Sequence, residues 1–329
     1  MASLEALQLT LTLTQELIRE VSRNDLSHSN TVCDLLQRGA DINGTDDYYG
    51  QTPLMIGAKK GDKSLWIIVE LLKHENLDLN AKDNQGRTTL IWASFYGHEE
   101  VVHMLLKDDR LDINDKDSQG NTALIWASRN GRKEDVRILL IDDRLDINAK
   151  DHDGNTALIW ASRNGREEVV DILIKHERVD VNADDRYGKT ALIAASENGH
   201  QEVVGTLLKD DRVDINGKDY HGNTALIWVS FYGREEVVRM LLRDDRLDIN
   251  AKDNQGRTAL IAAIHRGHEG VVRMLLNDNR LAINGKDNQG RTALIEVSFY
   301  GHAEVARMLL KDNRLDINAK DHDGNTALI

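Results

Sequence analysis

Residues 120–153 read GNTALIWASRNGRKEDVRILLIDDRLDINAKDHD, and this pattern decides the fold. Thr122–Asn130 is a short helix by its signals. Thr122 is a good N-cap, because its hydroxyl can accept an otherwise orphaned backbone N–H, and Gly131 stands where a left-handed residue should end the helix. Arg132–Ile141 is a second helix, with Val136, Leu139 and Leu140 on one face. In the sister stretch from Gly86 that face is fuller, with Val101, Val102, Leu105 and Leu106, and Glu99 and Glu100 occupy the first turn, where the helix dipole favours anions. Leu145–Asp153 then runs extended and closes in a polar turn. The unit is helix, turn, helix, hairpin loop.

Working outward, the pattern Gly-x-Thr-(Ala or Thr)-Leu-Ile puts its glycine at 86, 120, 154, 188, 222, 256, 290 and 324, each 34 residues after the last. Gly50 precedes the series by 36, the extra two falling within Asp62–Lys73. The expected organisation is eight repeats over 50–323, divided as 50–85, 86–119, 120–153, 154–187, 188–221, 222–255, 256–289 and 290–323. Residues 1–49 read as a degenerate amino-terminal capping repeat with helices at Gln15–Ser22 and Thr31–Arg38, and 324–329 as the start of a further truncated repeat. Residues 315–329 duplicate 145–159 letter for letter, so the carboxyl end has no cap, as in a fragment of a longer array or a last unit that frays. One such unit cannot bury its apolar face by itself, so the copies must stack.

Composition excludes several function classes. With 40 % hydrophobic and 29 % charged residues the chain is a folded polypeptide rather than a disordered tail or a membrane protein. A formal charge of -13 opposes phosphate backbones and anionic headgroups, so nucleic acid and membrane are not expected partners. The single cysteine, Cys33, has no partner for an internal disulfide, and a cytoplasmic or nuclear monomer is expected. No nucleophile elbow, phosphate loop, zinc spacing or paired-carboxylate motif appears, so neither an enzyme activity nor a cofactor or metal is expected.

At this point the sequence resembles the ankyrin repeat family. Thr52-Pro53-Leu54-Met55 is similar to the family's Thr-Pro-Leu-His, Gly97-His98 to its inter-helix turn, and Gly39-Ala40-Asp41-Ile42-Asn43 to its loop entry. The resemblance implies an all-α repeat solenoid of stacked helix-turn-helix-hairpin repeats, curved, with a concave face of first helices and hairpins. Later units depart from the family. They read Thr-Ala-Leu-Ile, without the proline and histidine, and they replace Gly-Ala-Asp with longer forms such as Asp108-Asp109-Arg110-Leu111-Asp112. Asp or Asn rather than Gly then ends the second helix, and those corners are expected to be locally looser.

Comparison among the copies separates constant from variable positions. The variable pair before the turn glycine includes Phe95/Tyr96, Arg129/Asn130, Arg163/Asn164, Phe231/Tyr232 and Phe299/Tyr300. Four residues before the second member of each pair lies a slot holding Trp92, Trp126, Trp160 and Trp228, but Ile56, Ala194, Ala262 and Glu296 elsewhere. That spacing puts slot and pair on one helix face, which the resemblance implies lines the groove. Large aromatics and Arg are enriched at binding hot spots. The tryptophans have a second reading, as filler between successive first helices, and the Phe/Tyr pairs as packing. Tyr187 and Tyr220 at the hairpin tips extend the candidate surface, since turn chemistry does not call for tyrosine.

His98, His200, His268 and His302 recur at one turn position and fit a helix-start role, and acidic loops such as Asp112/Asp115/Asp117 fit a solvated edge. The loop asparagines, Asn80 and its counterparts, occupy the position that in the family braces the hairpin and can be hydroxylated. The expected function is a non-enzymatic protein-protein interaction scaffold. The alternative is a regulatory or targeting segment of a longer enzyme, ubiquitin-ligase adaptor or channel.

Overall fold

The computed structural model describes residues 2–23 and 29–327; parts of the expected capping repeat (residues 1 and 24–28) and of the trailing stub (328–329) lie outside the described residues. The chain divides into two compact units, Met1–Ala157 and Leu158–Ile329. Among the described residues the regular structure is helical, with one isolated bridge, Asp184 to Thr190, and no helix is long and apolar enough to cross a membrane.

In the first unit, helices Ala2–Ser22 and Ser29–Gln37 precede three helix pairs: Pro53–Lys60 with Leu65–Leu72, Thr89–Tyr96 with Glu99–Leu106, and Ala123–Asn130 with Lys133–Leu140. First helices pack on the next first helix and second helices on the next second helix. The second unit repeats the arrangement from Ala157–Arg163 with Glu167–Ile174 to Ala293–Tyr300 with Ala303–Leu310. An apolar stripe from every element meets its neighbours, as Leu90, Ile91, Val101, Val102 and Leu105 show by being 1 % exposed or less. Each such side chain contributes about 2 kcal/mol on burial.

Local signals fix the helix ends. Thr122 Oγ1 accepts from Ile125 N at 3.3 Å, and the same bond recurs at Thr88, Thr190, Thr224, Thr258 and Thr292. Gly131 closes the first helix at φ 74°, ψ 29°, a left-handed conformation that a side chain disfavours. The two extra residues after Gly50 are absorbed in a 3-10 turn, Gly61–Ser64.

Four local expectations change. The amino-terminal helix runs from Ala2 rather than Gln15. Its threonines stay helical because Thr12 and Thr14 donate their hydroxyls back to Gln8 O and Thr10 O, at 2.9 and 2.8 Å, while Leu13, Leu17 and Val21 are buried.

The Asp-x-Arg corners are stapled rather than loose. Asp108 takes Arg110 Nε at 3.0 Å and Arg110 Nη2 at 2.6 Å, and equivalent pairs form at Arg144, Arg212, Arg246, Arg280 and Arg314. Each of these carboxylates is held below its ordinary pKa chiefly by its arginine's hydrogen bond. The guanidinium also reaches the end of the preceding second helix: Arg280 Nη2 donates to Leu242 O and Arg314 Nη2 to Leu276 O, both at 2.7 Å. A side chain thus satisfies the C-terminal carbonyls that a left-handed glycine would otherwise cover.

The turn histidines stand at helix starts but make no capping bond with the helix they begin. Instead Nε2 of His98, His200 and His268 lies 3.1, 3.0 and 3.0 Å from the carbonyl of Lys59, Arg163 and Phe231, one repeat earlier.

The loop asparagines do brace. Asn80 donates to Arg110 O and accepts from Asp112 N, both at 2.8 Å, and the pattern repeats at Asn114, Asn182, Asn216, Asn250 and Asn284. The loop acids are not uniformly solvated: Asp117 is buried and Asp115 pairs with Lys82 at 2.8 Å.

Candidate functional site

The hairpin aspartate directly after the repeated lysine, as in Lys82-Asp83, organises the first-helix face. Asp83 is buried, and its Oδ1 accepts the N–H groups of Gln85 and Arg87, both at 2.9 Å. Its Oδ2 takes Trp92 Nε1 at 3.0 Å. Trp126 donates to Asp117, and Trp228 to Asp219, in the same way at 2.8 Å. At three of the four slots without tryptophan, arginine supplies the missing donor; at the fourth, Ile56, Asp46 Oδ2 takes the Gln51 N–H at 3.3 Å. Arg163 Nη2 bonds Asp185 at 2.8 Å beside Ala194, Arg257 Nε bonds Asp253 at 2.7 Å beside Ala262, and Arg291 Nη2 bonds Asp287 at 2.7 Å beside Glu296. A buried carboxylate needs its lone pairs filled, which explains why the replacements come as a set.

The slot residues are accordingly well packed. Trp92 is 7 % and Trp126 8 % exposed, while Trp160 and Trp228 are half-buried. With so little ring open to solvent, Trp92 and Trp126 act mainly by holding the pair beside them.

In the first unit Trp92 stacks on Tyr96 at 5.8 Å, and Phe95 turns its edge to Trp126 at 5.0 Å. Lys59 Nζ and the Arg87 guanidinium lie 4.6 and 4.4 Å from the Trp92 ring centre, and Arg129 lies 5.1 Å from that of Trp126. Burial lowers the Lys59 pKa, partly offset by Asp46 and Asp83. Asn130 Nδ2 donates to Phe95 O at 3.2 Å. Tyr96 is exposed, and Phe95, Arg129 and Asn130 are half-buried.

In the second unit Arg163 lies 5.2 Å from the Trp160 ring centre, and Asn164 is half-buried. Trp228 stacks on Tyr232 at 5.6 Å under Lys189 at 4.5 Å. Phe231 carries Arg266 at 4.1 Å over its ring, and His265 stands 4.6 Å from Tyr300, whose neighbour Phe299 is 78 % exposed. Burial first, then Arg266, Arg257, Arg291 and His302, lower the His265 pKa. At the tips Tyr220 N donates to Tyr187 O at 2.9 Å, and both rings are exposed.

The sequence does not announce the burial of two acids, Asp135 and Glu296. Asp135 stands where the sister repeats have the first valine of the second helix; it is 1 % exposed and its Oδ2 has no hydrogen-bond partner. Burial pushes its pKa up to about 7, opposed by Arg132 and reinforced by Glu99 and Glu134. Column-by-column comparison of the repeats carried that signal. Glu296 is buried in the tryptophan slot, 2.8 Å from Arg291 Nη1 in an ion pair whose Oε1 receives no aligned N–H. Burial raises its pKa against the pull of Arg291. Among the described residues no group of three or more His, Cys, Asp or Glu is placed to hold a metal ion.

In each unit, exposed aromatic rings and cations therefore stand on a braced foundation of buried carboxylates and tryptophans, suited to burying apolar rings and pairing charge. A family model described as ankyrin repeats (3 copies) matches residues 20–117, 144–219, 179–253 and 245–321. A second, described as ankyrin repeats (many copies), matches 108–161. Comparison with curated proteins yields no match.

Proposed function

The chain belongs to the ankyrin repeat family, and from that premise we propose that it is a non-enzymatic scaffold that binds another protein along its first helices and hairpin tips. Ankyrin repeats are generally protein-protein interaction modules. The observation that supports this surface is the set of aromatic rings left open on it, Tyr96, Tyr187, Tyr220, Tyr232, Phe299 and Tyr300. An apolar ring in water is a standing gain for a partner that covers it, at about 25 cal/mol for each Å² removed from solvent. The half-buried Phe95, Phe231, Arg129 and Arg163 border these rings and set register, while the tryptophans support them. The reading takes the eight repeats over 50–323 as the binding array, 1–49 as its capping unit and 324–329 as the start of another repeat. It places a monomer in the cytoplasm or nucleus.

The test compares partner capture by the intact chain with capture by a variant carrying Tyr96→Ser, Tyr232→Ser, Phe299→Ser and Tyr300→Ser, which leaves the tryptophan foundation in place. A loss of tenfold or more in affinity, about 1.4 kcal/mol, is expected. Unchanged affinity in a variant with full helical content would refute the surface.

A further inference from the structure

The second unit separates its charges. In the hairpin-and-first-helix stretches 216–233, 250–267 and 284–301 the only carboxylates are Asp219, Asp253, Asp287 and Glu296, all buried and turned to the internal donors described above. The cations there behave differently. Lys218, Lys252, Lys286 and Arg266 are exposed. Each lysine climbs one repeat to a backbone carbonyl, Lys218 to Lys252 O at 2.8 Å, Lys252 to Lys286 O at 2.7 Å and Lys286 to Lys320 O at 2.8 Å. Among the described residues none of the four forms an ion pair with a carboxylate. Arg266 instead lies over Phe231.

This positive stripe belongs to a chain of net charge -13, with acids of this unit on second helices and loops, as at Glu235, Glu236, Asp244 and Asp245. Glu197, on the first helix before the stripe, is paired with Lys189 at 2.5 Å and accepts from Tyr232 OH at 3.4 Å. Tyr232, Phe299 and Tyr300 are the exposed rings on the same first helices. Burial is the main cause of the lowered His265 pKa, and Arg266, Arg257 and Arg291 add to it.

We infer that the segment captured by residues 216–301 is an acidic peptide of a partner protein, with aspartate or glutamate facing Lys218, Lys252, Lys286 and Arg266 and apolar side chains on Tyr232, Phe299 and Tyr300. The inference rests on the interaction reading and adds the partner's chemistry. Charge complementarity of this kind steers encounter and rejects basic segments, whose approach the stripe opposes. The negative charge of the whole chain disfavours a nucleic acid as the stripe's occupant.

A random dodecapeptide display library selected on the full chain tests this. Enriched peptides are expected to be rich in Asp and Glu. Fluorescence anisotropy with the best of them should show affinity falling with added salt, and falling about tenfold or more in a Lys252→Glu, Lys286→Glu, Arg266→Glu variant of unchanged circular dichroism. Neutral or basic winners, or affinity unmoved by charge reversal, would overturn the acidic partner. If such winners still lose binding in a Tyr232→Ser, Phe299→Ser, Tyr300→Ser variant, the interaction surface itself stands. An enriched set empty of binders counts against both readings. Oligothymidylate bound as tightly as the best peptide, with the same loss on charge reversal, also overturns the proposal, because the stripe would then read polyanions at large.

Discussion

The helices Thr89–Tyr96 and Ala225–Tyr232 read TLIWASFY and ALIWVSFY, yet the stations they build differ. At the first, Trp92 is buried beneath two cations, Lys59 and Arg87, and Phe95 wedges its edge against Trp126. At the second, Trp228 is half-buried beneath one cation, Lys189, and Phe231, facing a repeat with Ala262 in the slot, is covered by Arg266 instead. Lys59 and Lys189 come from the preceding repeat, and Trp126 and Arg266 from the following one. A station is thus an object spanning adjacent repeats, and its exposure and charge depend on letters about 34 positions away as much as on its own.

The largest expected effect breaks the comparison directly. Trp92→Ala should cost about 4 kcal/mol of stability, and Trp228→Ala clearly less because its ring is already partly in water, as read by urea unfolding with hydrogen exchange to localise the loss. Equal costs would show that the neighbouring repeats do not set the two environments.

Next, Asp83→Ala and Asp219→Ala should each cost about 3 kcal/mol, and by similar amounts. Each strands two hairpin N–H groups and an indole N–H. A cost under about 1 kcal/mol at either would remove the carboxylate from the foundation.

Second helices offer a sharper contrast, because Lys133–Leu140 alone buries Asp135 where its sisters bury valine. The folded carboxyl keeps its proton up to about pH 7, whereas the unfolded one releases it near 3.8. Between those limits the folded state binds the extra proton, so stability falls as pH rises through the window and stays low above it. Asp135→Val should abolish that slope and stabilise the chain at pH 8 by about 2 kcal/mol, as thermal unfolding across pH would show. An unchanged slope would mean that the carboxyl is solvated in the folded state.

The smallest effect concerns the buried hydroxyls of Ser196 and Ser230, which lack a partner. Replacing either by alanine should shift stability by under about 0.5 kcal/mol, since no hydrogen bond is lost. A larger loss would reveal a bond from the hydroxyl to its own helix.

The repeat, the threonine caps and the left-handed glycines were legible in the sequence because each is local: a hydroxyl and an N–H three residues apart, or a single backbone conformation. The corner staples were not. Arg314 and Leu276 O are 38 residues apart, and only stacking brings them together. The amino-terminal helix was read short because threonine is a weak helix former, and its back-bonding to the previous turn is invisible until the helix exists. For the candidate surface, the exposure of its residues was not legible. The exchange of tryptophan for arginine over the hairpin aspartate was written in the columns at Trp228/Asn223 and Ala262/Arg257, yet it acquires meaning only once Asp219 and Asp253 are seen to be buried.

Hydroxyl-radical footprinting of the chain with and without its bound partner tests the interaction surface most directly. Modification of Tyr96, Tyr232, Phe299 and Tyr300 should fall on binding, while that of Met240 and Met274 on the second helices stays constant. Unchanged labelling of the four rings, with protection moved to those methionines, would contradict the account.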